Sequence, residues 1–182
     1  NDSGVSRDRL ETIRDRIDRV IDTAHEQGVV TASHDDEDPA EVTQLQEAGV
    51  DISEYPITLA TAKAAHDSGM TTVMGAPNLV QGGSQWGNLD SATAISAGVL
   101  DVLCADYHPQ SMLAAPFVDT DEPLAARVAR VTKNPADAVG LTDRGRIETG
   151  ARADLILVEP EPTPTVSRAF VDGEPVYRAE AQ

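Results

Sequence analysis

The stretch VVTASHDDEDPAEVTQLQEAGVDISEYP, residues 29–56, decides the fold. Val29 to Ser33 is a short apolar run, and His34 follows it. Asp38 is placed to cap a helix with Pro39 at its first position, running to about Ala48 and stopping at Gly49. Val50 to Ser53 is a second apolar run, ending at Glu54. Strand, helix and strand in so short a span is a parallel βα unit, with strands buried on both faces.

The unit repeats downstream. A helix is expected from about Thr58 to Asp67, stopping at Gly69, and Met70 to Met74 reads as a third strand. A long Gly-rich loop, Gly75 to Asn88, follows it. A short helix fits Ser91 to Ala97, and Val99 to Ala105 reads as a fourth strand ending at Asp106. Upstream, residues 7–28 carry Leu10, Ile13, Ile17, Val20, Ile21 and Ala24 at helical spacing, opposite a solvated face of arginines and acids, and Gly28 ends that helix.

Residues 122–139 read as helical, with Asn134 as a cap and Pro135 at the first position. From Asp143 the texture changes. Gly145 to Glu148, Ala153 to Val158, Val166 to Asp172 and Pro175 to Tyr177 read as short strands between Gly and Pro turns, joined in part by the Pro-rich segment 160–164. The expected division is an α/β part over residues 1–140 and a small β part over residues 141–182.

Composition removes several function classes. The net charge is −17, which argues against nucleic-acid and membrane-surface binding, since both need basic patches. Aromatics are 3%, too few for a platform that stacks bases. Lys63 and Lys133 are the only lysines, and so many carboxylates with so few lysines fit a protein adapted to concentrated salt; the alternative is an ordinary acidic protein. Cys104 stands alone, so neither an internal disulfide nor a cysteine-based zinc site is possible. No apolar run approaches a membrane span and no signal peptide is evident, so a cytoplasmic protein is expected. The chain begins at Asn1 rather than Met and reads as a piece of a longer one.

In parallel βα folds the chemistry gathers at the C-terminal ends of the strands. The residues there are His34, Glu54, the Gly75-Ala76-Pro77-Asn78 turn and Asp106, and three of those four ends carry a metal-ligand or acid–base type. A closed (β/α)8 barrel needs about 200–250 residues. Four units do not close one, which leaves an open four-stranded sheet or the second half of a barrel.

The tail bears on that choice. Asn134-Pro135-Ala136, Gly140-Leu141, Asp143-Arg144-Gly145-Arg146-Ile147, Gly150 and Ala153-Asp154-Leu155 resemble the closing stretch of amidohydrolase-superfamily enzymes, where a metal-dependent barrel runs into a small β-sandwich. Ala32-Ser33-His34-Asp35-Asp36, Ile52-Ser53-Glu54-Tyr55-Pro56, Gly75-Ala76-Pro77-Asn78-Leu79 and Ala105-Asp106-Tyr107 resemble the PhnM family, over about residues 8–178. Members of that family are α-D-ribose 1-methylphosphonate 5-triphosphate diphosphatases of the carbon–phosphorus lyase pathway. The resemblance implies that the four strands are the fifth to eighth of the barrel, and that residues 141–182 are part of the β-sandwich. A first half of the family's length is missing here, with its His-x-His pair and its metal-bridging acidic or modified residue.

The resemblance also implies roles. His34 becomes the fifth-strand ligand of a divalent metal, zinc first, with manganese or iron as alternatives. Asp106 becomes the eighth-strand aspartate, which binds metal and takes the proton from the attacking water. Glu54 stands where many superfamily members have a sixth-strand histidine, either as a metal ligand or as support for one. Asp35 and Asp36 either orient His34 or are solvated acids. Asn78, Ser84, Asn88 and His108 are the candidate substrate contacts. Gln81 and Gln85 stand where the family carries basic Arg and His, and Trp86 where it carries a small residue, a loss of two phosphate partners. His25 and His66 read as surface residues on helices, Lys133 as solvated rather than reaching a phosphate, and Cys104 as a buried strand residue.

Three functions stay open at this point. The first is the diphosphatase reaction on a phosphorylated small molecule, releasing pyrophosphate and leaving a 5-phosphate. The second is another amidohydrolase activity, a deaminase or cyclic-amide hydrolase, which an Arg- and Lys-poor pocket would favour. The third is a non-catalytic half-barrel that pairs with a separate first half, or assembles with copies of itself.

Overall fold

The structure is a computed structural model and describes residues 7–179; residues 1–6 and 180–182, and the side chains of Arg7, Asp8 and Leu10, lie outside the described residues. Helix α1 (Arg7–Glu26) leads into a βα series: β1 (Ala32–His34), α2 (Pro39–Glu47), β2 (Ile52–Glu54), α3 (Leu59–Asp67), β3 (Thr71–Gly75), α4 (Ala76–Gln81), α5 (Ser91–Ser96) and β4 (Val102–Cys104). The four strands form one sheet in the order β1-β2-β3-β4, every pairing parallel. Consecutive parallel neighbours are what the βα spacing requires.

The strands begin one to three residues later than the apolar runs predict. The first residues of those runs enter the sheet rather than pair in it, and one clasp recurs at that lower edge. Asp51 accepts the Thr31 N–H at 2.9 Å and the Thr31 hydroxyl at 3.1 Å. Asp101 accepts the Thr72 N–H at 2.9 Å and the Thr72 hydroxyl at 3.0 Å. His25 and His66, read as surface residues, reach those aspartates at 3.5 and 3.6 Å. Thr72 is fully buried, so Asp101→Ala strands a backbone donor away from water. The expected loss is about 1–3 kcal/mol, read as a lower denaturant midpoint. Asp51→Ala should cost less, because Thr31 keeps contact with solvent.

The two faces of the sheet differ. Met74 and Leu103 pack under Ala62, Leu79, Ala94 and Ile95 from the helices, in a core completed by Val99 and Leu100. A second cluster joins Ile21 to Val42, Val50, Ala65 and Met70. On the other face Val73 and Val102 are buried, Ile52, Glu54, Thr71 and Cys104 are half-buried, and Ala32 and His34 are exposed. Among the described residues of the α1 stripe only Ile21 is buried; Ile13, Ile17 and Val20 face solvent, and Leu10 lies outside the described side chains.

Three expectations need correction. The segment after β3 is not all loop: Ala76–Gln81 is helical, because Pro77 suits its first turn and Gly82, at φ 79°, ends it in the left-handed region. Asn134 is not a cap. It lies inside α8 (Lys133–Ala138), and its amide nitrogen donates to the Asp101 carbonyl at 2.8 Å. Residues 145–148 are not a strand: Gly145 has φ 78°, and a Cβ there would stand 2.6 Å from the Thr132 carbonyl oxygen, so the chain turns where only glycine fits.

Between β4 and the tail lie α6 (Ser111–Ala114), a 3-10 turn (Ala115–Phe117), α7 (Leu124–Ala129) and α8. The sequence reading missed the first two. The tail forms one antiparallel sheet of β5 (Leu155–Glu159), β6 (Thr165–Val171) and β7 (Glu174–Arg178), with Asp172-Gly173 turning the last hairpin at positive φ. Among the described residues it is a single layer of three strands. No helix among them is long and apolar enough to cross a membrane.

Candidate active site

The C-terminal edge of the parallel sheet is where the backbone is strained. Asp35 (φ 58°), Tyr55 (φ 56°) and Asp106 (φ 48°) all lie in the left-handed region, the first two directly after β1 and β2 and the third just past β4. Such a conformation costs about 1–2 kcal/mol for a residue with a side chain. Pairing holds two of them, since the Asp35 N–H bonds the Glu54 carbonyl at 3.0 Å and the Tyr55 N–H bonds the Val73 carbonyl at 2.9 Å. The ladder thus runs one residue beyond each strand before the chain kinks. Strain at three strand ends on one edge marks a site worth reading for chemistry.

A cleft of about 440 Å³ opens on this edge. Its wall includes His34 and Asp35 from the end of β1, Tyr55 from β2, Asn78 from α4, Ser84 and Asn88 from the following loop, and Asp106 and Tyr107 beyond β4. The structure therefore brings together five of the seven residues singled out from sequence: His34, Asn78, Ser84, Asn88 and Asp106. Asn78 also holds the loop, its side-chain oxygen accepting the Ser91 N–H at 2.9 Å.

The other two lie elsewhere. Glu54 is in register with His34, on the same face of the sheet, but is not part of the cleft wall; its carboxylate stands 3.9 Å from the Cys104 sulfur. His108 is taken up in the turn before α6, with Nδ1 2.9 Å from the Ser111 hydroxyl. The two acids after His34 part company. Asp35 stays beside it, Oδ2 3.3 Å from His34 Nδ1. Asp36 is buried and accepts the hydroxyls of Ser33 at 2.8 Å and Ser53 at 2.5 Å, tying β1 to β2 on the helix-covered face. Lys133 pairs with Asp137 on its own helix.

Sequence reasoning missed Tyr55 and Tyr107. Two of the chain's three tyrosines directly follow strand-end candidates, Glu54 and Asp106, and that placement was the available signal. The Tyr55 ring lies 5.3 Å from the His34 ring, and its hydroxyl is 3.2 Å from the Cys104 sulfur. Burial, then Cys104 and Asp106, push the Tyr55 hydroxyl above the usual phenol range, so it remains a donor. Burial likewise pushes the Cys104 thiol up. Tyr107 receives two amides across the cleft mouth, Gln85 at 2.7 Å and Gln81 at 3.2 Å.

A metal is the group the residue types invite, and the donors fit it only in part. His34 and Asp106 share the cleft, but no three His, Cys, Asp or Glu side chains among the described residues form a set that could hold a metal ion. The described residues do not complete a coordination shell. The cleft wall also holds two carboxylates, Asp35 and Asp106, and neither lysine nor arginine.

Comparison with known proteins agrees with this architecture. The amidohydrolase family model matches residues 11–177. The α-D-ribose 1-methylphosphonate 5-triphosphate diphosphatase of Escherichia coli is 44% identical over 134 residues, 71% of this chain and 35% of that enzyme. The resemblance read from the strand-end motifs therefore stands. Two solved structures share the fold: an ochratoxinase from A. niger, with TM-score 0.64, 19% identity and coverage of 90% of this chain and 45% of its own, and a metal-dependent hydrolase from Pyrococcus furiosus, with TM-score 0.54, 17% identity and coverage of 76% and 35%. The chain spans about a third of the length of the curated relative and less than half of either solved structure.

Proposed function

Because this chain belongs to the amidohydrolase family, we propose that it supplies the fifth to eighth strands of a (β/α)8 hydrolase barrel, with part of its small β domain, in a longer enzyme. That enzyme would hydrolyse α-D-ribose 1-methylphosphonate 5-triphosphate to the 5-phosphate and pyrophosphate. One observation carries the reading: the strand ends whose motifs resemble the diphosphatase family are the same ones that wall a single cleft. The half-open face of the sheet agrees with it, since parallel sheets are covered on both faces when complete.

Asp106 is the residue positioned to take a proton from an attacking water, and Asp35 holds the His34 imidazole by its Nδ1. A divalent metal, zinc first, would take His34 and Asp106 as two donors and the rest from outside the described residues. Asn78, Ser84 and Asn88 offer uncharged contacts to substrate. Adaptation to concentrated salt rests on composition, a net charge of −17 with two lysines.

The uncharged cleft mouth favours a second reading. With Gln81 and Gln85 turned onto Tyr107 and no cation in the wall, this half of the site suits a neutral substrate, as a deaminase or cyclic-amide hydrolase requires. Offering the full-length protein both substrate types in the presence of zinc or manganese separates the two. Pyrophosphate release supports the first; ammonia or ring opening, without pyrophosphate, supports the second. The isolated 182-residue chain should turn over neither, because its ligand set is incomplete. Turnover by that chain at the full-length rate would overturn the half-site account.

A further inference from the structure

We propose that Tyr55 is a positioning residue for the Asp106 carboxylate, and that position 75 is glycine in order to admit its hydroxyl. The proposal rests on the reading of Asp106 as proton acceptor and goes beyond it by naming what holds that acceptor in place.

The geometry is built around an absent side chain. A Cβ on Gly75 would stand 2.7 Å from the Tyr55 hydroxyl oxygen and 3.3 Å from Asp106 Oδ2. Both oxygens therefore occupy the room that any other residue would take at the end of β3. Gly75 has φ −75°, a conformation open to all residues, so its backbone does not demand glycine and the space does. Tyr55 reaches this notch from β2 by way of its left-handed backbone, which a bulky residue adopts at a cost.

Within the notch the hydroxyl lies 3.2 Å from the Cys104 thiol and shares the room at Gly75 with Asp106 Oδ2. A carboxylate is the stronger acceptor of the two. Donation to one Asp106 oxygen fixes that side chain across the strained strand end and leaves the other oxygen for water. The ring meanwhile lies against His34, so one side chain braces the β1 and β4 ends of the cleft over β3. No other described side chain touches His34, Cys104 and the Asp106 notch together.

The test uses the full-length enzyme and three variants. Tyr55→Phe keeps the ring and removes the donor. It should lower kcat about 10- to 100-fold with KM within about twofold, the size expected for one hydrogen bond to a charged group. Added to Asp106→Asn it should cost nothing further, since the hydroxyl acts through that carboxylate. Gly75→Ala should lower kcat in the wild type and much less in the Tyr55→Phe background, where the crowding oxygen is gone. Wild-type kcat in Tyr55→Phe, a change confined to KM, or losses that add to those of Asp106→Asn overturns the proposal. Full activity in Asp106→Asn itself instead removes the proton-acceptor reading beneath it, so the two failures are told apart.

Discussion

Asp106→Asn in the full-length enzyme should lower kcat by about 10²- to 10⁴-fold, the contribution of a positioned general base. The substitution removes a charge and a proton acceptor but keeps the shape of the side chain. It should leave KM near wild type, because the proposed substrate contacts, Asn78, Ser84 and Asn88, lie on the facing helix and loop. Asparagine also tolerates the left-handed backbone at φ 48° as well as aspartate does, so the strand end stays formed. Steady-state kinetics with circular dichroism as a fold control checks it. A variant that is folded and has wild-type kcat would remove Asp106 from the reaction.

Glu122→Ala should destabilise the protein by about 3 kcal/mol, the low end for breaking a buried ion pair from one side. The partner, Arg130, is 8% exposed and holds Glu122 with both terminal nitrogens, at 2.6 and 2.8 Å. Its Nε donates to the Leu100 carbonyl at 3.0 Å, and its own carbonyl accepts the Leu103 N–H at 3.0 Å. Arg130 therefore braces β4, the last strand of the parallel sheet, and losing Glu122 leaves that guanidinium buried without a counter-charge. The Arg130 hydrogen bonds hold the Glu122 carboxyl below the usual glutamate value of 4.5. A depressed acid contributes stability that is present above its unfolded value and is lost as pH falls through the folded one. The gap in denaturant midpoint between wild type and Glu122→Gln should hold near neutrality and close as pH drops below about 4.5. A gap that is independent of pH across that range contradicts the ion-pair account.

The parallel sheet was legible because buried strands and capped helices leave local marks. The Asp38-Pro39 start and the Gly49 stop predict α2, which the structure places at Pro39–Glu47. His34, Asp106 and Asn78 were found from the rule that parallel βα units gather chemistry at strand ends, Ser84 and Asn88 from the loop after the third strand under the family resemblance, and the cleft assembles all five. Side-chain direction was not legible. Glu54 sits at an equivalent strand end but faces Cys104, and His108 lies two residues past Asp106 but closes a turn onto Ser111. The left-handed backbone that turns Tyr55 into the cleft leaves no periodic signal, since a tyrosine there defies local preference. The α4 helix was read as loop because glycines dominate the segment, although Pro77 and Gly82 were the start and stop signals. The first expected tail strand, Gly145 to Glu148, failed on a packing contact, Gly145 against Thr132, that no local pattern records.

The central claim is that His34 and Asp106, from the two outer strands of the sheet, act on one reaction centre. A double-mutant cycle on kcat/KM for pyrophosphate release, with His34→Ala, Asp106→Asn and the double variant of the full-length enzyme, tests it directly. Residues that act as a unit give losses that do not add. The account predicts a double variant about as slow as the slower single one. Losses that multiply in full would place the two residues in independent roles and contradict it.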